Sequence, residues 1–166
     1  MKKLIFGTIL SILTVTGFAA GKINRKDDAG KISYNVKRQF DQEFEDAKEI
    51  SWIINDEFQK ATFTVDGNKF TALYDLQENY LGATKFISYK DVPAKAKAEI
   101  ERKFKDYYFS EGIQVVSRPS GDYDSNDVGT YWLDMVKEGK KVYLKVSPFS
   151  VVEVYKTIDL RETAKN

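Results

Sequence analysis

The stretch DVPAKAKAEIERKFKDYY, residues 91–108, decides the fold. Its apolar side chains recur three or four residues apart, which places them on one face of a helix. We therefore predict a helix over 91–108, with Asp91 as its N-cap, Pro93 in its first turn, and a favourable pair between Glu101 and Lys105. The apolar stripe consists of Val92, Ala96, Ile100, Phe104 and Tyr107.

A second stripe with the same spacing lies upstream and predicts an earlier helix over 34–46, with Ser33 as its N-cap. Each of its members precedes a member of the first stripe by sixty residues, as positions 36 and 96 illustrate. The constant offset indicates two copies of one unit in which a helix is followed by strands. The upstream stripe consists of Val36, Phe40, Phe44 and Ala47.

Alternating apolar and polar residues predict four strands after each helix. Asp66-Gly67-Asn68 and Glu138-Gly139-Lys140 are matching hairpin turns, now seventy-two residues apart because of an insertion at 118–127. The predicted strands are 50–54, 58–65, 69–74, 80–89, 113–117, 128–137, 142–146 and 149–158. The expected fold class is α+β, with two tandem repeats of a helix plus a four-stranded antiparallel sheet, over 33–90 and 91–160, and both helices on one sheet face.

The N-terminal residues have the pattern of a secretory signal peptide. Lys2 and Lys3 precede an uncharged apolar run from Leu4 to Phe18, and small residues at 17 and 19 favour cleavage after Ala19. A signal peptide over 1–19 and a flexible leader over 20–32 are therefore expected, with a polar tail over 161–166. This predicts a periplasmic or secreted protein with no membrane span after signal cleavage.

Two residue types are missing, and their absence excludes several chemistries. Without His or Cys, the chain cannot use Ser-His-Asp or Cys-His catalysis, or His/Cys metal sites. Its net charge of +1 lacks the basic excess of a nucleic-acid binder. No phosphate-binding or dinucleotide motif is present, so no cofactor is expected. We therefore predict a protein that is not an enzyme and does not bind nucleic acid.

The insertion contains the only pattern that resembles a metal site. Asp122, Asp124 and Asn126 supply oxygen ligands at the first, third and fifth positions of a calcium loop. The expected glycine at position six is Asp127, and the expected glutamate at position twelve is Leu133. A solvated loop that contacts a partner is therefore the favoured interpretation over a calcium site.

Aromatic side chains on the predicted strands are the strongest functional signal, because aromatic residues anchor interfaces. Trp52 shares the parity of Ile50 and Ile54 and is expected in the core, whereas Trp132 shares a face with Asp134. We expect Tyr131, Tyr143 and Tyr155 to share an open sheet face. The candidate partner-binding residues are Trp132, Tyr131, Tyr143, Tyr155, Arg118, Asp122, Tyr123 and Asp124.

The pattern resembles the secreted PepSY-like family that is grouped with beta-lactamase-inhibitor proteins. The resemblance covers 33–158 and implies an exported tandem repeat whose inhibitor relatives bind an enzyme through the concave sheet face. The chain departs from the family turn, having Glu78-Asn79 in place of glycine in the first copy, with Asn79 expected in a left-handed conformation, and Ser147-Pro148 in the second. The matching residues are Phe40-x3-Phe44-x5-Ile50-x-Trp52, Phe63-x-Val65-Asp66-Gly67, Ala72-x-Tyr74-Asp75, Val92-Pro93 and Ile100-x3-Phe104-x2-Tyr107.

Together these observations favour an exported, non-enzymatic module that presents an open antiparallel sheet face to an unidentified protein or peptide. One alternative is a carbohydrate- or small-ligand-binding protein that uses the same aromatic residues. A second alternative is a hydrolase based on carboxylates, which requires two acidic groups about 5–10 Å apart in a cleft.

Overall fold

Two ten-residue helices lie against one eight-stranded antiparallel sheet in the computed structural model, which describes residues 31–119 and 127–163. The strands pair in chain order, so every strand neighbours only the strands next to it in sequence. The protein is therefore an α+β fold. Its elements are α1 Tyr34–Glu43, β1 Lys48–Ile54, β2 Gln59–Val65, β3 Asn68–Tyr74, β4 Tyr80–Phe86, a 3-10 helix Tyr89–Asp91, α2 Ala94–Lys103, β5 Tyr108–Ser117, β6 Tyr131–Lys137, β7 Lys140–Val146, β8 Val152–Asp159 and α3 Leu160–Thr163.

Helix α1 begins as predicted and ends early. The Oγ of Ser33 accepts a hydrogen bond from the Val36 backbone N–H at 3.2 Å, so Ser33 is the N-cap. The helix was expected to reach residue 46, but Phe44 has φ −129° and leaves the helical conformation. Its ring instead packs on Phe63 at 4.7 Å, so side-chain packing ends this helix three residues early.

Helix α2 is shorter than the predicted 91–108 at both ends. Asp91 accepts a hydrogen bond from the Ser88 backbone N–H and belongs to the preceding 3-10 helix. The N-cap of α2 is therefore Pro93 and not Asp91, which was expected. After Lys103 the chain turns, and Tyr108 already begins β5, where it pairs with Val136 of β6. The expected pair between Glu101 and Lys105 does not form, whereas Glu99 and Lys103 pair at 2.5 Å on the same helix.

Both helices pack against the same sheet face, which we call the helix side. Under α1, Val36 and Phe40 contact a core that includes Trp52, as predicted. The Phe40 and Trp52 rings meet edge to face at 5.2 Å. Under α2, Ala96 and Ile100 pack against β6 and β7 through the buried residues Leu133, Met135, Val142, Leu144 and Val146.

Two turns at the same end of the sheet have one hydrogen-bonding pattern. Asp75 N–H donates to Asn79 O at 2.9 Å, and Ser147 N–H donates to Val151 O at 2.9 Å. The side chains of Asp75 and Ser147 each accept a hydrogen bond from the backbone N–H four residues later, that of Asn79 and of Val151. The left-handed residues are Glu78 at φ +69° and Ser150 at φ +65°, so the expectation for Asn79 is wrong.

Several element bounds differ from the prediction. Strand β5 begins five residues early, at Tyr108, while β6 and β8 each begin three residues late and β4 ends at Phe86. Ile32, expected in a flexible leader, packs against the α1 core, and α3 includes residues 161–163 of the expected polar tail. The signal peptide, residues 20–30 and residues 164–166 lie outside the described residues. Within the described part of the chain, every helix is too short or too polar to cross a membrane.

Gly82 in β4 has no side chain and therefore allows β5 to approach closely. Its φ is +133°, and a Cβ atom there would lie 2.7 Å from the backbone O of Ser117. We expect Gly82→Ala to lower the free energy of unfolding by more than about 2 kcal/mol, because it adds a backbone clash to a conformation that alanine disfavours. Denaturant unfolding measures this change.

Gly67→Ala is the matched control. Gly67 also has a positive φ, of +74°, but a Cβ atom there would meet nothing within 4 Å. Its replacement should cost only the conformational strain, about 1–2 kcal/mol. Equal losses for the two variants would contradict the close approach of β4 and β5.

Candidate partner-binding face

The sheet face opposite α1 and α2, which we call the open face, carries its own apolar cluster. Strand register places Phe86, Ile113 and Trp132 in one row across β4, β5 and β6, because these residues are direct cross-strand partners. No helix residue belongs to this cluster among the residues that the structure describes. Its members are Ile113, Val115, Trp132 and Tyr143, with Phe86 and Ile158 packed against them.

Trp132 lies at the centre of this cluster. Its ring meets the ring of Tyr155 edge to face at 5.0 Å, and Tyr155 remains 47% exposed on the edge strand β8. Trp132 itself is only 9% exposed, and its Nε1 has no hydrogen-bond partner within 31–119 and 127–163. A buried indole N–H without a partner is costly unless another molecule accepts its hydrogen bond.

Lysine side chains cover the aromatic rings of the open face. The ammonium groups lie 5.0–5.9 Å from the ring centroids, which is the range of cation–π contacts. The open face therefore combines aromatic rings with positively charged groups, two of which, those of Lys60 and Lys141, are buried. The four pairs are Lys60 on Phe58, Lys69 on Phe86, Lys141 on Tyr143 and Lys145 on Trp132.

A buried carboxylate lies beside Trp132 on the same face. Asp134 is 1% exposed, and its Oδ2 lies 2.7 Å from the Nζ of Lys141, while its Oδ1 has no hydrogen-bond partner in the described chain. Burial raises the pKa of Asp134 above its usual value, and Lys141 opposes that rise. Burial and the charge of Asp134 likewise raise the pKa of Glu111, its cross-strand partner.

Glu111 and Asp134 are the carboxylate pair that a hydrolase would need, but their surroundings suit an ion-pair network. Both oxygens of Asp134 have less than 1 Å² of accessible surface. A substrate or an attacking water must reach a carboxylate in order to react there. The oxygens of Asp134 are therefore not accessible to a substrate in this arrangement.

Three of the predicted site residues lie together on the open face, and one lies on the other side. Trp132, Tyr143 and Tyr155 flank one another, with Tyr143 buried. Tyr131 packs against the helix-side core beneath α2. The expectation that it shares the open face is wrong, because adjacent strand residues point to opposite faces.

Arg118 holds the two ends of the insertion together. Its Nε donates to Asp127 Oδ1 at 2.7 Å, its second terminal nitrogen pairs with Asp127 Oδ2, and it also donates to Leu81 O at 3.1 Å. Asp127 is thus engaged by an arginine. Asp122, Tyr123 and Asp124, and with them all three oxygen ligands of the calcium-loop pattern, lie outside the described residues. Elsewhere in the described chain, no three acidic residues are grouped to hold a metal ion.

The lysines of the open face were not among the predicted site residues. Lys141, Tyr143 and Lys145 alternate along β7, so their shared parity could have shown that they accompany Trp132. Lys69 is harder to foresee, because its contact with Phe86 depends on the pairing of β3 with β4.

Solved structures of several Bacteroides proteins have a similar fold. No family model and no curated protein matches the sequence. A BLIP-like protein of Bacteroides fragilis has 17% identity and a TM-score of 0.63, with 80% of this chain and 93% of that one covered. A DUF2874 family protein of Bacteroides uniformis has 12% identity and a TM-score of 0.63, with 80% and 92% covered. A protein of Bacteroides eggerthii provisionally described as periplasmic has 14% identity and a TM-score of 0.61, with 76% and 88% covered. At these identities the likeness establishes a shared BLIP-like fold.

Proposed function

We propose that this chain is an exported, non-enzymatic binding module whose open face takes a protein or peptide partner. The observation that carries the proposal is Trp132, a nearly buried tryptophan on the sheet face opposite α1 and α2, whose indole N–H has no partner in the described chain. Tryptophan and tyrosine surrounded by a polar rim are the usual anchors of protein interfaces. An inhibitor-like role is the form that the BLIP-like fold favours.

The charge of the open face favours an acidic contact region on that partner. Lys69 is exposed, Lys145 is partly exposed, and both lie over rings of the same cross-strand row. Asp134 and Glu111 offset part of this positive charge from beneath. A carboxylate of the partner could pair with these lysines while its apolar groups cover the rings.

We also propose that the chain is a PepSY-like tandem repeat, with units over 33–90 and 91–160, that is exported by a signal peptide over 1–19. Three likenesses support the repeat. Helices α1 and α2 have equal length and start sixty residues apart, their C-caps Phe44 and Phe104 have similar backbone angles, and the turns after β3 and β7 share one hydrogen-bonding pattern.

Affinity capture from the exported fraction tests the proposed site through three variants. Trp132→Ala and Tyr155→Ala remove the anchor and its exposed neighbour, and Tyr34→Ala removes a 79% exposed aromatic residue on α1. We expect the affinity for the captured partner to fall about 30-fold or more with Trp132→Ala, as for a hot spot. Tyr155→Ala should weaken binding to a smaller degree, and Tyr34→Ala should leave it unchanged.

Thermal unfolding of each variant separates lost binding from lost folding. Tyr155 lies at the surface, so its replacement should leave the fold intact even if Trp132→Ala does not. Unchanged affinity in both open-face variants, or equal loss with Tyr34→Ala, would contradict the proposed site.

A further inference from the structure

A cavity ringed by aromatic side chains lies on the helix side, between the end of α2 and the start of β5. Its volume is about 300 Å³, at the lower end of the range for small-molecule sites in proteins. We call it the aromatic pocket. Its lining residues are Tyr89, Ile100, Glu101, Phe104, Lys105, Tyr107, Tyr108, Phe109 and Met135.

The first half of the chain fills the corresponding space with its own rings. Position 63 in β2 precedes position 135 in β6 by the strand offset of seventy-two, and Phe63 there packs on Phe44 at 4.7 Å and on Phe40 at 5.0 Å. In the second half this position is the narrower, flexible Met135, which leaves open volume beside Phe104. The corresponding positions of the first half are therefore joined by ring contacts, whereas those of the second half line a pocket.

Two unpaired charges stand on the rim of the pocket. Glu101 and Lys105 lie one helical turn apart on α2, and both are exposed. Neither forms an ion pair within the described chain, although Lys37 with Asp41 and Glu99 with Lys103 do so at the same spacing. Burial and the charge of Glu101 raise the pKa of Tyr89, so the Glu101 carboxylate acts on a ring of the pocket wall.

We propose that the aromatic pocket is a binding site for a free aromatic amino acid. The ring of the ligand enters among the tyrosine and phenylalanine rings, where edge-to-face contacts are available. Its ammonium group pairs with Glu101, and its carboxylate pairs with Lys105. The pocket lies on the helix side of the sheet, so this inference is independent of the partner proposed for the open face.

Calorimetric titration of the full chain with four compounds tests the chemical class. The probes are L-phenylalanine, 3-phenylpropionate without the ammonium group, phenethylamine without the carboxylate, and L-leucine without the ring. We expect L-phenylalanine to bind, and each compound that lacks one charge to bind about tenfold more weakly, since a charge-assisted hydrogen bond is lost. L-Leucine should bind at least as weakly as these two.

Variants locate the site. Met135→Phe introduces the residue of the first half and should abolish binding while leaving the melting temperature unchanged or higher. Lys105→Gln should weaken binding of L-phenylalanine about tenfold and bring its affinity to that of phenethylamine. Tyr107→Ala opens the wall of the pocket and provides a second test if Met135→Phe does not fold. Lys95→Gln, an exposed lysine of α2 outside the lining, is the matched control.

The outcomes are decisive in either direction. Absence of L-phenylalanine binding to the folded wild-type chain would overturn the proposal, as would binding that survives both Met135→Phe and Tyr107→Ala. Equal affinity for L-phenylalanine and 3-phenylpropionate would overturn the assignment to an amino acid. Binding that Lys105→Gln weakens and Lys95→Gln does not would support it.

Discussion

Replacement of Lys141 by methionine is expected to lower the free energy of unfolding by about 3–5 kcal/mol at pH 7. The Nζ of Lys141 lies 2.7 Å from Oδ2 of the buried Asp134 carboxylate. Methionine preserves most of the apolar stem of the lysine but carries no charge. Without the ammonium group, a negative charge stays in a site that is 1% exposed. Chemical denaturation at pH 7 measures the loss.

The loss should depend on pH in a defined direction. Burial already raises the pKa of Asp134 in the folded chain, and removing Lys141 removes the group that opposes this rise. An acid whose folded pKa lies above its unfolded value destabilises the fold as the pH rises between the two values. The effect of Lys141→Met should therefore be full above the raised pKa and nearly vanish below about pH 4.

A double variant and a surface variant complete the experiment. Asp134→Leu combined with Lys141→Met removes both charges and should recover the wild-type stability or exceed it. Lys137→Met breaks an exposed pair with Asp106 and should cost no more than about 1 kcal/mol. A double variant as unstable as Lys141→Met would show that the loss comes from packing and not from the unpaired carboxylate.

Replacement of Phe40 by alanine is expected to cost about 3–5 kcal/mol, the range for a buried phenylalanine. Phe40 is 1% exposed and contacts three rings, those of Phe44, Trp52 and Phe63, at 5.0–5.3 Å. Its loss leaves a cavity under α1 and removes the edge-to-face contact with Trp52. Denaturation followed by tryptophan fluorescence measures the change in stability.

Phe149→Ala is the matched control for this variant. Phe149 lies in the turn before β8, is 85% exposed, and should change the free energy of unfolding by no more than about 0.5 kcal/mol. A small loss with Phe40→Ala, comparable to that of the control, would contradict the packing of α1 on the sheet.

The periodicity of apolar residues was sufficient to predict that the helices and most strands exist, and the helix-side core. The apolar stripe over 92–104 has the period of a helix, and the alternation in β2 and β6 has the period of a strand. The helix ends were wrong because they depend on tertiary packing: Phe44 leaves α1 to reach Phe63, and Tyr108 is drawn into β5. Neither contact can be predicted from the local propensities of the residues.

The candidate site was only partly predictable for a similar reason. Trp132 and Tyr143 could be placed on one face by parity, but Tyr131 was assigned by residue type and parity contradicts it. The contacts of Arg118 with Asp127 and Leu81 depend on how the insertion closes onto β4. The aromatic pocket depends on a void, and a sequence pattern predicts which residues are buried but not how completely they fill the space.

The strictly sequential order of the eight strands has a consequence for how the chain folds. Every strand pairs with its immediate neighbour in sequence, so no pairing has to wait for a distant segment. Chains with mostly local contacts close short loops at low entropic cost and fold quickly for their size. We expect this protein to fold faster than β proteins of similar length whose strands cross over. The slowest step should be the pairing of β4 with β5, because α2 lies in the loop between them.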